Sequence, residues 1–71
     1  MKRYAVVIEK TETGYGANFP DLPGCVAAAD TLEETERLIQ GAIEFHLEGM
    51  RAHRDPIPDP TTIAQYVDVS A

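Results

Sequence analysis

An α+β domain, with one antiparallel or mixed sheet and a single helix packed on one face, is the fold this chain predicts, in the order β-β-β-α-β. Three observations carry that expectation. Apolar residues alternate or cluster in short runs as far as Ala29, a 3.6-residue periodicity takes over after Thr31, and alternation returns beyond a proline-rich break.

Residues 2–10 hold Tyr4, Ala5, Val6, Val7 and Ile8 in succession, β-branched and aromatic side chains bounded by charge. They predict a first strand apolar on both faces, a pattern usual for a strand inside a sheet. Thr11, Glu12, Thr13 and Gly14 make a turn, and residues 15–19 alternate large apolar with small or polar side chains. That alternation is the mark of a half-buried second strand closing a hairpin. Pro20, Asp21, Leu22, Pro23 and Gly24 follow as a rigid bend: the prolines fix φ, Gly24 admits a positive φ, and Asp21 can accept from nearby backbone N–H groups. Residues 25–29, Cys25 and Val26 with three alanines, predict a third strand packed closely against a neighbour, although alanine alone favours helix.

Thr31 and Glu34 have capping-box spacing, with acids gathered in the first turn, so a helix opens at Asp30 and Thr31 and runs to Ala52 or His53. Winding at about 100° per residue brings Leu32, Ile39, Ile43 and Met50 onto one line, flanked by His46 and Leu47, and this stripe is expected to face the sheet. Leu38 and Phe45 point away from it, giving the helix more apolar surface than one sheet needs. Glu33, Arg37, Gln40, Glu44 and Glu48 form a solvated face, with Glu33 and Arg37 an i,i+4 pair. Pro56, Pro58 and Pro60 end the helix, and residues 62–69 alternate as a last strand, expected to lie beside the first and parallel to it.

The chain has 71 residues, twelve acidic against six basic side chains, a net charge of −6 and a single cysteine. So short a chain buries only about 60% of the surface its unfolded form exposes, which leaves one marginally stable domain over residues 1–71. One cysteine cannot form an internal disulfide, so added stabilisation is expected from self-association or a partner, in a dimer or tetramer. The acidic balance argues against direct nucleic-acid binding and for a basic protein partner. No apolar run reaches membrane-span length and the N-terminus leads into a strand, so a soluble, cytoplasmic protein is expected.

Few residues suggest catalysis. His46 and His53 sit two turns apart with no third ligand or base placed by the sequence, and read as a half-buried packing residue and a helix C-terminal charge. Cys25 has no neighbouring base and reads as a small buried hydrophobe. Glu9, a helix acid and Asp68 could converge on a divalent metal, as a residual RNase H-like nuclease would require, but Glu9 falls at the sheet margin and the helix acids on the solvated face. Gly14 and Gly16 belong to a hairpin turn, since no helix follows them. No cofactor and no metal is expected.

The hairpin ending in Tyr15, Gly16, Ala17, Asn18 and Phe19, the bend Pro20, Asp21, Leu22, Pro23, Gly24 and Cys25, the helix opening Asp30, Thr31, Glu33 and Glu34, and Pro56 with Pro58 together resemble the HicB family of antitoxins. The likeness spans nearly the whole chain. It implies a partial RNase H-like fold lacking the nuclease carboxylates, and a protein that binds and neutralises HicA, a small basic ribonuclease that cleaves mRNA using a histidine. Many members also carry a C-terminal DNA-binding domain, which this chain is expected to lack. The reading is a non-enzymatic antitoxin module of a type II toxin-antitoxin system. Candidate toxin contacts are Glu44 and Glu48 on the acidic helix face and Asp21 and Leu22 on the exposed bend. Leu38 and Phe45 are the candidates for self-association. The rivals are the metal-dependent nuclease and a stand-alone homo-oligomeric module without a toxin.

Overall fold

The computed structural model describes residues 2–71. Three short strands, β1 (Val7–Lys10), β2 (Tyr15–Asn18) and β3 (Val26–Ala29), are followed by one helix, α1 (Leu32–Ala52). The strands form an antiparallel sheet in the order β1-β2-β3, with Ile8 opposite Ala17 and Ala17 opposite Ala27. That register places Ile8, Ala17 and Ala27 on the face the helix covers, while Val7 and Val26 point to the bare face and are exposed. The α+β class and the β-β-β-α order agree with the sequence pattern.

The hairpin turn closes through Thr11 N–H to the Gly14 carbonyl at 2.8 Å, and the Gly14 N–H donates to Thr11 Oγ1 at 3.1 Å. A side chain at Gly14 would run into the carbonyl oxygen of Ala29, so the close approach of turn and β3 requires glycine. The bend after β2 bonds to itself: Phe19 N–H to the Cys25 carbonyl, Leu22 N–H to the Phe19 carbonyl and Cys25 N–H to the Leu22 carbonyl, at 3.1, 3.0 and 3.2 Å. Gly24 takes φ 91° there, as its position in the bend requires. Phe19 and Cys25, at the two ends of the bend, are both buried and join Ala17 and Ile39 in the core. The Tyr4 ring meets Phe19 edge-on, with centroids 5.1 Å apart and planes at 81°.

Thr31 is the N-cap, its side chain accepting from Glu34 N–H at 3.2 Å. Thr35 is fully buried, and its hydroxyl donates to the Thr31 carbonyl at 2.8 Å, which satisfies the one polar group the helix inserts into the core. The buried line of the helix is Thr35, Ile39 and Leu47, with Ala42 and Ile43 partly buried. The expected stripe does face the sheet through Ile39, Ile43 and the flanking Leu47, with Thr35 added to it, but Leu32, the first residue of the helix, is exposed. At the other end His53 is the C-cap and Arg54 adopts φ 59°. Arg54 N–H reaches the Arg51 carbonyl and Asp55 N–H the Met50 carbonyl, the two bonds of a Schellman motif.

Two expectations about strand position require correction. β1 lies at an edge of the sheet, not inside it. Residues 62–69 form no strand in the single chain; Ile63, Val67 and Val69 are 82, 76 and 77% exposed. The physical reason lies in the linker. Tyr4 donates its hydroxyl to the Pro58 carbonyl at 2.7 Å, Lys2 pairs with Asp59 at 2.8 Å, and Thr61 and Thr62 donate to Asp21 at 3.0 and 2.8 Å. These contacts carry the chain from the start of β1 across the end of the sheet to the β2–β3 bend, away from the free edge of β1.

Candidate functional site

Two surfaces present chemistry that the core does not consume. One is the outer side of α1. Glu33, Glu34, Glu44 and Glu48 lie along it against Arg37 and Arg51, and all are exposed. Leu38 and Phe45 stand on a neighbouring face, 43 and 76% exposed. Gly41 and Gly49 have open space where a side chain would be, so a second backbone can approach beside Phe45.

The other surface is a groove of about 920 Å3 between α1 and the side of the sheet that the helix leaves uncovered. Tyr4, Val6 and Ile8 form one wall, Ile39, Ile43 and Leu47 the other, and Ile57 closes an end. Glu36, Gln40, Glu44, Lys2 and Arg51 rim it. The groove follows from element lengths and crossing: the helix is centred on β3 and β2, so the apolar face of β1 has no cover.

The candidate residues on the bend have work inside the chain. Asp21 is half-buried and accepts both threonine hydroxyls on Oδ1, while its Oδ2 is buried with no partner. The Thr62 hydroxyl, and then that of Thr61, hold its carboxyl below the usual carboxylate range, against a desolvation that acts the other way. Leu22 packs on the core. Pro20, Pro23 and Gly24 form the exposed part of the bend. Glu44 and Glu48 are exposed, and Glu44 stands at the rim of the groove. The Asp21 tether was not foreseen from the sequence, although the neighbouring Thr61 and Thr62 offered two hydroxyls to an acidic turn.

The histidines and the cysteine are occupied locally. His46 is exposed, not half-buried as expected, and its Nδ1 lies 3.3 Å from the Ala42 carbonyl; His53 Nδ1 lies 2.8 Å from the Gly49 carbonyl. A carbonyl only accepts, so each ring nitrogen carries the proton there. Cys25 is buried, and loss of solvent pushes its thiol pKa up, as for an inert core thiol. Among the described residues, no three His, Cys, Asp or Glu side chains gather where they could hold a metal ion. Glu9 stands on β1 and Asp68 on the exposed tail. Among the described residues, no helix is long and apolar enough to cross a membrane.

Comparison with known proteins supplies the family. Residues 4–70 match the family model described as the HicB-like antitoxin of bacterial toxin-antitoxin systems. A 14.9 kDa uncharacterised protein of Haemophilus phage HP1 is 42% identical over 65 residues, 92% of this chain and 49% of its own length. A UPF0150 protein of Synechocystis is 36% identical over 67 residues, covering 93% of this chain and 85% of that protein. The antitoxin HicB 2 of Photorhabdus laumondii is 36% identical over 70 residues, 97% of this chain and half of that antitoxin. The chain belongs to the HicB-like antitoxin family. It spans about half the length of the phage and Photorhabdus relatives and most of the Synechocystis one.

Proposed function

We propose that this chain neutralises a small basic toxin of the HicA type, an mRNA-cleaving ribonuclease, by binding it directly in the cytoplasm and without catalysis of its own. The observation that carries the reading is the family match across residues 4–70. The charge distribution is of the right sign: four glutamates line the outer side of α1 against two arginines, and opposite potentials steer and register two proteins more than they add raw affinity. Glu44 and Glu48 are the proposed electrostatic contacts. Asp21 and Leu22 contribute through the shape of the bend they hold, with Pro20 and Pro23 as its exposed part. Leu38 and Phe45 are proposed to pack against a second copy of the helix, where Gly41 and Gly49 allow close approach.

The experiment is a search of the adjacent open reading frame for a small basic protein and co-expression of that protein with this chain. Relief of growth arrest together with co-purification is the expected result, and relief without a complex would count against direct neutralisation. Glu44→Lys with Glu48→Lys should weaken association about tenfold at low salt, with the difference shrinking as salt rises, since rim charges of this kind are worth about 1 kcal/mol and are screened.

A further inference from the structure

We infer that residues 62–69 are a strand built for a second copy of this chain, inserted along the free edge of β1 and over the apolar groove beside it, with the two copies exchanging tails reciprocally. Four observations converge on this. The segment alternates as a strand does, with Ile63, Val67 and Val69 on one face and Gln65 its one polar member, yet that apolar face lies in solvent. The apolar run of residues 4–8 leads into β1, which holds an edge position with the N–H and C=O groups on its outer side unpaired by any strand among the described residues. The groove flanking that edge is lined by Tyr4, Val6, Ile8, Ile43 and Leu47, side chains matched to Ile63, Val67 and Val69 in kind. The lengths match when pairing extends ahead of β1: eight residues span roughly 26 Å as a strand, the four residues of β1 roughly 13 Å, and residues 4–10 together roughly 23 Å.

The occupant is a second copy and not the chain's own tail because of the linker. Asp21 holds Thr61 and Thr62 at the β2–β3 bend, on the side of β2 opposite the free edge of β1, and the tail leaves the molecule from there. The 47 Å long axis exceeds the roughly 31 Å of the 21-residue helix, as a projecting tail requires. Each copy offers one tail and accepts one, so the exchange closes with two copies around a twofold axis.

The test uses the full chain, with solution mass and amide hydrogen exchange measured across a dilution series. Expected is a dimer in which the amides at residues 63–69 and the amides of β1 facing away from β2 are protected together, and in which both sets lose protection as the dimer dissociates. Ile63→Asp with Val67→Asp should abolish the joint protection of the tail and β1, and the tail-exchanged dimer with it, while the far-ultraviolet helix signal and any association through Leu38 and Phe45 are kept; if that variant does not fold, the wild-type dilution series still decides. A monomer at every concentration would overturn the inference. So would tail protection that persists in the monomer, which means closure on its own sheet, or a dimer whose tail amides exchange freely, which means contact elsewhere. Tail protection without β1 protection would mean that tails pair with each other, and protection arising only when a basic partner protein is added would assign the strand to that partner.

Discussion

At Asp21 one carboxylate sets the course of the last fifth of the chain. Its Oδ1 takes the Thr61 and Thr62 hydroxyls, and these bonds favour the ionised form, so the folded-state pKa lies below that of the unfolded chain. A carboxyl depressed in this way contributes its stabilisation above the unfolded pKa and loses it as pH falls through the folded one. The tether should therefore hold through neutral and mildly acidic solution and release only below the usual carboxylate range. Nuclear magnetic resonance titration of Thr61 and Thr62 should report one common low midpoint, and Asp21→Asn should remove it; a midpoint at or above the usual range would refute the assignment. The Lys2 and Asp59 pair shifts both groups toward their charged forms, each through the bond to the other, but it is solvent-exposed and guides the linker more than it stabilises it.

At the scale of the element, α1 is held at both ends by motifs of different legibility. The N-terminal cap could be read directly, because Thr31 and Glu34 carry the spacing and the bond from Glu34 N–H to Thr31 forms. The C-terminal motif could not, because Arg54 occupies the left-handed position that glycine ordinarily fills. An L side chain there costs roughly 1–2 kcal/mol, partly offset by the entropy a glycine adds to the unfolded chain. Arg54→Gly should thus stabilise the fold by about 0.5–1 kcal/mol, readable as a rise in the denaturant midpoint with unchanged slope. The register of the helix on the sheet was also beyond the pattern. Periodicity identifies an apolar line, yet Thr35 is buried and Leu32 is not, since the crossing of α1 over β3 and β2 selects which turns touch the sheet.

For the molecule as a whole, the single chain leaves Phe45, Val26, Ile63, Tyr66, Val67 and Val69 in solvent around a core of few fully buried side chains. A domain this small has little margin, and burial of the tail side chains in the exchange inferred above would add to it. Binding of a second copy to the folded state alone raises apparent stability by mass action. The thermal midpoint should therefore climb with chain concentration, by about 4–8 °C for each 1 kcal/mol gained. A midpoint independent of concentration would mean that the monomer is self-sufficient.

The sequence by itself determined the three strands, the bend, the start of the helix, the solvated acidic face and the family, because turn residues, capping spacing and periodicity are local and carry their own physical signals. Only the tertiary structure decided the edge position of β1, the groove beside it and the fate of the last alternating run. Those depend on contacts between residues far apart in the chain, Tyr4 with Pro58, Lys2 with Asp59 and Asp21 with Thr61 and Thr62. A strand pattern states that a segment can pair; the path of the chain leading to it determines which edge it can reach.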